Sequence, residues 1–282
     1  MKIPSGIPTT ANYNSLLNCD DFKLLESFSN GFLQRNKEIF KEYGRKWISD
    51  PFHTYNRQWE YPYVYQQMQN YIQGNIKSEQ QIRILDAGSG VTFFPFFLAD
   101  KIPTAAITCC DYDFAIQGLF NRIKRENRVM SFNVEDLRAF TFANDSFHVV
   151  YCISVLEHTH EYEKIVSEFS RILAPNGLLI VTFDVSLDGQ ADIPAEEAVW
   201  LLKVINDKFA PVAALDGEKF LEAVQKPGIV STAYIKKFDR QLLPWRHPFL
   251  SLLKSALMKK HIPHGLMKNL TFYCGSFIKR ER

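Results

Sequence analysis

The apolar positions of the chain form short runs that alternate with longer amphipathic stretches. The short runs are bounded by polar or turn-forming residues, as buried strands are, whereas the longer stretches repeat their apolar residues at helical spacing. Strands are predicted at residues 82–85, 105–110, 129–134, 147–154, 178–183, 229–237 and 270–278. Helices are predicted at residues 22–40, 62–72, 93–99, 114–127, 193–209 and 216–224. This alternation from residue 82 onward predicts an α/β fold with a mostly parallel sheet.

About 80 residues precede the first predicted strand. Residues 1–20 are predicted to form an irregular arm, and Trp47–Tyr65 is rich in aromatic residues, which either pack the leader onto the core or cap a site. The predicted organisation is an N-terminal helical and aromatic cap at residues 1–80 and a main domain at residues 81–282. A helical insert is predicted within the main domain at about residues 241–268.

The composition is that of an ordinary globular protein. Of 282 residues, 46% are apolar and 23% are charged. Met1–Pro8 has no apolar core of a secretory signal, and no apolar run approaches the roughly 18 residues that span a membrane. The five cysteines form no disulfide framework, since Cys109 and Cys110 are adjacent in a predicted strand. A cytoplasmic location is therefore expected.

Basic residues are concentrated towards the end of the chain. From Lys236 onward there are eleven Lys or Arg and two acids, a local balance of +9 in a chain whose net charge is +2. Such a segment can mark an acidic substrate, nucleic acid or a membrane surface, although a solvated helical face has the same composition.

The most informative stretch joins the first predicted strand to the next helix. Ile82–Leu85 is followed by Asp86 and by a turn with Gly88 and Gly90, a layout in which backbone approaches a nucleotide-like ligand. A dinucleotide fingerprint would have a third glycine or an alanine where Phe93 stands, and Asp86 would repel a pyrophosphate. The carboxylate suits a ligand with an ammonium and a sulfonium, which favours S-adenosylmethionine over NAD.

A second carboxylate, Asp111, ends the second predicted strand about twenty residues beyond Gly90. Nucleotide-binding βαβ units place a carboxylate at this position to bind the ribose. Its two oxygens can accept one hydrogen bond from each of the two ribose hydroxyls. Asp113 instead suits a cap on the following helix. Asp111 is therefore predicted to bind the ribose.

Several motifs resemble those of one family, the class I S-adenosylmethionine-dependent methyltransferases, and in particular its type 11 domain. Leu85–Gly90 resembles the first motif, although Thr92 stands where a further glycine is common. Residues 144–158 resemble the fourth-strand motif, with His148 in place of the usual Asp, and residues 168–177 resemble the Arg-x-Leu-x-Pro-Gly-Gly connection. The resemblance implies a Rossmann-like, doubly wound, mostly parallel seven-stranded sheet with an N-terminal helical cap and a C-terminal helical insert.

The resemblance also implies S-adenosylmethionine as cofactor, bound at the ends of the first strands. Asn133 and Val134 stand where the family has an acid–small pair that reads the adenine, and Glu135 or Asp136 are alternatives. Arg57 is predicted to pair with the methionine carboxylate from the cap, unless it is a surface residue of the cap. The predicted cofactor-binding set is Arg57, Asp86, Gly88, Ser89, Gly90, Asp111, Tyr112, Asn133, Val134 and Ser154.

Two residues are predicted to be catalytic. His158 follows the fourth strand and is a candidate general base for a hydroxyl acceptor, or else lines the cofactor site. Asp184 follows the fifth strand and is the second candidate, with His160 and His53 in reserve. A metal site from His158, Asp184 and Asp188 is an alternative, but no motif shows metal-ligand spacing, so no metal is predicted.

The expected function is methyl transfer to oxygen on a small molecule, such as a sugar or a secondary metabolite, with an anionic acceptor also considered. One alternative is an RNA methyltransferase that uses the basic segment, but Leu156–His158 is not the Asn-Pro-Pro-Tyr motif and no nucleic-acid module is visible. Another is a non-catalytic protein that binds the cofactor as a ligand. Neither nucleic acid nor a membrane is an expected partner.

Overall fold

The computed structural model describes residues 1–43, 52–76, 80–124, 130–190, 192–213, 217–243 and 268–280. Within these residues, eight strands join one sheet. The strands are β1 Ile82–Ala87, β2 Ala105–Asp111, β3 Met130–Val134, β4 Phe147–Ile153, β5 Leu173–Ser186, β6 Ile193–Pro194, β7 Phe209–Pro211 and β8 Leu270–Lys279. The main helices are α1 Thr10–Leu16, α2 Asp20–Arg35, α3 Lys37–Tyr43, α4 Arg57–Asn75, α5 Phe94–Lys101, α6 Phe114–Lys124, α7 Tyr162–Ile172, α8 Ala195–Lys208, α9 Gly217–Gln225 and α10 Thr232–Phe238.

The strand order is β3-β2-β1-β4-β5-β8-β7, with the two-residue β6 beside the end of β5. Strands β1 to β5 are parallel, and β8 is antiparallel to both β5 and β7. The predicted Rossmann-like, mostly parallel sheet is therefore confirmed. The carboxyl ends of β1, β2, β4 and β5 lie at one edge, and the order changes direction between β1 and β4, where such sheets place ligands.

Both faces of the sheet are buried. In β1, Ile84 belongs to an apolar cluster that includes Phe94 and Phe97 of α5, whereas the adjacent Leu85 belongs to a second cluster with Phe169 of α7. Successive residues of a strand point to opposite faces, so helices must cover both. This explains why the strands appear in the sequence as continuous apolar runs.

One predicted strand is wrong. Residues 229–237 contribute only an isolated bridge between Ile229 and Thr9, and then form α10. Ser231 is the N-cap of this helix, since its Oγ accepts a hydrogen bond from the Tyr234 N–H at 3.2 Å. The edge strand beside β8 is instead Phe209–Pro211, three residues that directly follow α8.

The leader packs against the sheet. Gly6 pairs with Cys274 through two backbone hydrogen bonds of 2.7 and 3.1 Å, so the arm covers part of the free edge of β8. Helix α4 begins earlier and ends later than predicted and is buried on nearly every side. Its Asn56 N-cap contacts Asp184, and Tyr71 near its other end donates to the Asn176 carbonyl at 3.1 Å. The start of α4 therefore lies at the carboxyl end of β5.

None of the helices in the described parts of the chain is long and apolar enough to cross a membrane. Most of the predicted C-terminal insert, residues 244–267, lies outside the described residues.

Candidate active site

The glycine turn after β1 is held by β2 and by the segment after β4. The backbone N–H groups of Gly88 and Ser89 donate to the Cys110 carbonyl at 2.9 and 2.8 Å. Gly88 has a φ of +77°, and a Cβ at this position would lie 2.6 Å from Cγ2 of Val155. Gly90 also has a positive φ, of +50°. The chain needs glycine at residue 88 for its own packing, in addition to any approach of a ligand.

Asp111 organises the same turn. Its Oδ2 accepts from the Gly90 N–H at 3.1 Å, and its Oδ1 accepts from the Asp113 N–H at 3.1 Å. Asp113 accepts from the Ala115 N–H at 3.0 Å at the start of α6. This contact is the one expected of a residue that caps the helix. The predicted ribose ligand thus lies beside the glycine turn, with a fixed carboxylate.

The ends of β2 and β3 expose apolar side chains next to Asn133. Tyr112 is 83% exposed and Val134 is 42% exposed, and Val134 is aligned with Asp111 in the sheet. The alternatives to Asn133 have other partners: Glu135 accepts from the N–H and the hydroxyl of Thr141, and Asp136 is paired with Arg138. Of the residues considered for the adenine, Asn133 and Val134 therefore stay the better prediction.

Asp86 is a carboxylate near the end of β1 that is only 5% exposed. Burial raises the pKa of its carboxyl from the ordinary 3.8 to about 7, and the charge of Asp111 acts in the same direction. The Tyr151 hydroxyl and the Arg57 guanidinium oppose this rise of the pKa. A cation beside Asp86 would stabilise the carboxylate form.

Helix α4 brings an ion pair to the end of β4. Glu60 is fully buried; it forms a salt bridge with Arg57 and accepts from the Ser154 hydroxyl at 2.8 Å. Ser154 has a φ of +47°, and its N–H donates to the Thr182 carbonyl at 2.9 Å. Glu60 was missed as a site residue, and its only sequence signal is a charge within an aromatic run.

The predicted cap residue Arg57 lies at the strand ends. Burial disfavours its charge, but the carboxylate of Glu60 outweighs this and raises the pKa of Arg57 above its ordinary value. Its guanidinium lies 6.0 Å from the ring centre of Tyr61. Its positive charge acts to lower the pKa of the Asp86 and Asp184 carboxyls. Its role as a ligand of the methionine carboxylate stays a prediction.

Asp184 lies under the start of α4. Its Oδ1 accepts from the Asn56 amide at 3.2 Å. Burial raises the pKa of its carboxyl to about 7, Glu60 and Asp192 add to the rise, and Arg57 opposes it. A carboxyl with this pKa exchanges protons near neutral pH.

Glu157 follows β4 in a short 3₁₀ helix, Leu156–His158, and is 8% exposed. Burial raises the pKa of its carboxyl well above the ordinary value, and Asp184 adds to the rise. Its Oε2 is buried and has no hydrogen-bond partner among the described residues. A buried polar atom without a partner is rare and costs stability.

The predicted histidines are spread around this edge of the sheet. His158 lies at the protein surface at this edge. Partial burial of its imidazole lowers the pKa of the ring; the charge of Asp192 raises this pKa, and the charge of Lys268 lowers it. His160 is exposed, and His53 lies 3.7 Å from Glu26 of α2.

The alternative metal site gains no support. Asp188 accepts from the Ser186 hydroxyl and the Gln190 N–H, both at 3.1 Å, in an exposed turn. Among the residues that the structure describes, no three His, Cys, Asp or Glu side chains are placed to hold a metal ion.

The departure at His148 from the methyltransferase motif has a local cause. His148 Nδ1 accepts from the Arg83 N–H at 3.0 Å, so the neutral imidazole binds a backbone donor of β1. Burial lowers the pKa of this imidazole, which favours the neutral form. His148 therefore stabilises the start of the sheet, away from the carboxyl ends.

Comparison with known proteins decides between a methyltransferase and other α/β proteins. Residues 85–181 match the model of a family described as methyltransferase domain. Residues 85–181 therefore form a methyltransferase domain. The matched region of this methyltransferase domain begins in β1, includes the glycine turn and Asp111, and ends in β5.

A curated relative is known only as the uncharacterized protein syc1184_c of Synechococcus sp. (strain ATCC 27144 / PCC 6301 / SAUG 1402/1). It is 28% identical over 153 residues, which are 53% of this chain and 36% of that protein. The match thus spans about a third of the relative's length.

Two solved structures share the fold of the domain. A candidate sarcosine dimethylglycine methyltransferase from Galdieria sulphuraria has a TM-score of 0.50 at 13% identity, with 77% of this chain and 84% of that chain covered. A geranyl diphosphate methyltransferase in complex with GPP and sinefungin has a TM-score of 0.50 at 11% identity, with 77% and 79% covered.

Proposed function

We propose that this protein transfers a methyl group from S-adenosylmethionine to oxygen on a small molecule, such as a sugar or a secondary metabolite. The observation that carries the proposal is Asp184, a partly buried carboxyl near the carboxyl end of β5 that accepts from the Asn56 amide at 3.2 Å and whose pKa is raised to about 7, which suits a general base near neutrality. The cap residue Asn56 contacts it directly, so the start of α4 covers Asp184 from one side. A site covered by the cap suits a small acceptor better than RNA.

The residues around the glycine turn fit the cofactor. S-adenosylmethionine supplies an electrophilic methyl group on a positively charged sulfur. Asp111 accepts from the ribose hydroxyls, and Tyr112 and Val134 offer apolar surface to the adenine, with the Asn133 amide oxygen as acceptor for its amino group. Asp86 binds the ammonium group, since a cation offsets its buried charge.

The other predicted ligands surround the methionine part of the cofactor. Gly88, Ser89 and Gly90 allow close approach of backbone. Arg57 pairs with the methionine carboxylate while it keeps its contact with Glu60. Ser154, held by Glu60, forms the wall at the end of β4.

Asp184 would take the proton of the acceptor hydroxyl as the oxygen bonds to the methyl carbon and the methyl–sulfur bond breaks, with the sulfur leaving as a neutral thioether. His158 is the alternative base, because its lowered pKa keeps the imidazole neutral at physiological pH. Orientation of the acceptor supplies most of the remaining acceleration, since well-oriented groups lower a barrier by roughly 7–11 kcal/mol.

Of the six described basic residues from Lys236 onward, three are engaged within the protein, whereas Lys236, Lys237 and Arg240 are exposed. Lys268 is paired with Asp192, and Lys279 is paired with Asp145. Arg280 donates to the Phe209 carbonyl at 3.1 Å. These side chains are engaged within the protein and contribute less to a free basic surface.

The test is transfer of a labelled methyl group to a panel of sugars and phenols, with its pH dependence. With Asp184 as base, the rate should rise with pH through about 7. Asp184→Asn should abolish this rising limb of the pH profile and lower the rate by about 10²–10⁴-fold. With His158 as base, the limb should lie below 6.5 and disappear in His158→Ala.

The exposed Asp188→Asn is the control and should retain the wild-type rate and pH profile. Cofactor binding without transfer to any acceptor would contradict the proposal and support the non-catalytic alternative. Methylation of RNA alone would contradict the small-molecule acceptor.

A further inference from the structure

Four carboxylates from four separate elements are near enough to one another, beyond the ends of β4 and β5, for their charges to interact. Glu60 comes from α4, Glu157 from the 3₁₀ helix, Asp184 from β5 and Asp192 from the segment before β6. Glu157 is repelled by Asp184 and Glu60, and Asp184 by Glu60 and Asp192. This acidic cluster is the set Glu60, Glu157, Asp184 and Asp192.

Two members of the acidic cluster have a cation and two do not. Arg57 pairs with Glu60, and the Lys268 ammonium lies 2.8 Å from both carboxylate oxygens of Asp192. Among the described residues, Asp184 and Glu157 have no ion pair. Asp184 accepts from the Asn56 amide, and in the part of the chain that the structure describes the Glu157 Oε2 accepts nothing, although Glu157 is more than nine-tenths buried.

An unpaired carboxylate is expensive to bury, so the cluster binds either protons or a cation. The described part of the chain holds no group of three metal-ligating side chains, which argues for an organic cation over a divalent metal. An ammonium group has one charge and several N–H donors, enough to satisfy both the charge and the free oxygen of Glu157.

The position of the cluster separates it from the nucleoside part of the cofactor site. Asp111, Asn133 and the glycine turn lie at β1, β2 and β3, whereas Asp184 and Asp192 lie at and beyond β5, on the other side of β4. Asp184 and Asp192 are therefore on the acceptor side, and Glu157, which directly follows β4, lies between them and the residues assigned to the cofactor.

We infer that Glu157 binds an ammonium group of the acceptor, which is accordingly an amino alcohol or amino sugar whose hydroxyl is presented to Asp184. The inference rests on the proposed function, because it uses Asp184 as the base for the hydroxyl. An anionic acceptor is disfavoured by the same two carboxylates.

The test is a binding comparison with matched probes, ethanolamine and glucosamine, each against its N-acetyl derivative, which lacks the charge. Affinity is measured by calorimetry on protein loaded with S-adenosylhomocysteine, which cannot transfer a methyl group. The amines should bind about 10- to 150-fold more tightly, the range of a hydrogen bond to a charged group. Glu157→Gln should remove this preference, and Glu161→Gln, an exposed carboxylate paired with Arg138 and Lys164, should retain it.

Absence of a preference in the wild-type protein would overturn the inference without the need for any variant. An equal loss of S-adenosylhomocysteine affinity in Glu157→Gln would also overturn it, because Glu157 would then hold the ammonium of the cofactor. Methyl transfer to neutral hydroxyl compounds, unaffected by Glu157→Gln, would support the proposed function and refute the ammonium site. A product methylated on nitrogen would support the ammonium site and refute oxygen as the acceptor.

Discussion

The substitution Asp86→Asn should make the protein more stable and less able to bind its cofactor. In the folded chain the pKa of Asp86 is about 7 in place of the ordinary 3.8, because burial favours the neutral carboxyl. At about 1.4 kcal/mol for each tenfold change in proton affinity, this difference corresponds to at most about 4 kcal/mol. Asparagine has nearly the same shape and carries no charge to bury.

The sign of the effect follows from proton linkage. The folded state binds the proton of Asp86 more tightly than the unfolded state, so its stabilising effect is full below pH 3.8 and is lost as the pH rises through about 7. Urea unfolding without cofactor should therefore give similar stability for wild type and Asp86→Asn near pH 4. At pH 8 the variant should be the more stable by up to about 4 kcal/mol.

Cofactor affinity should change in the opposite direction, by about 1.5–3 kcal/mol, because the ammonium loses a charged hydrogen-bond acceptor. Asp100→Asn, which changes an exposed carboxylate of α5, is the control and should alter neither property. If Asp86→Asn is no more stable than wild type at pH 8, burial of the ionised Asp86 carboxylate does not destabilise the folded protein. If it binds S-adenosylmethionine with wild-type affinity, Asp86 is not a ligand of the cofactor.

Three further substitutions test the site. Asp111→Ala should weaken cofactor binding by about 1.5–3 kcal/mol in calorimetry, and unchanged affinity in a folded variant would exclude Asp111 as the ribose ligand. Glu60→Gln leaves Arg57 without its buried partner and should lower the free energy of unfolding by about 3–5 kcal/mol in urea, so that a loss below about 1 kcal/mol would contradict the buried pair. Gly88→Val should lower the melting temperature as well as abolish cofactor binding, since its Cβ would lie 2.6 Å from Val155. Adding Val155→Ala should restore part of the melting temperature, unless the positive φ alone causes the loss.

The sequence by itself determined the fold and the position of the glycine turn and Asp111 at the ends of β1 and β2. Strands β1, β4 and β5 are buried on both faces, so their apolar runs are nearly continuous and easily recognised. The glycine turn and Asp111 are local features whose position along the chain fixes their position in space, because each follows directly from the end of a parallel strand. Their proximity was therefore predictable, and the hydrogen bond from Gly90 to Asp111 agrees with it.

The tertiary structure decided the parts that local patterns leave ambiguous. Residues 229–237 are a short apolar run that fits a strand or a helix equally, and the Ser231 cap together with the pairing of β7 on β8 selected the helix. The arrangement of side chains beyond β4 and β5 depends on contacts between distant residues, such as Ser154 with Glu60, 94 residues apart, and Asp192 with Lys268. Nothing in the local sequence of Glu60 or Glu157 indicates that its carboxylate is buried, because the burial is produced by α4 packing over the ends of strands that follow it in the chain.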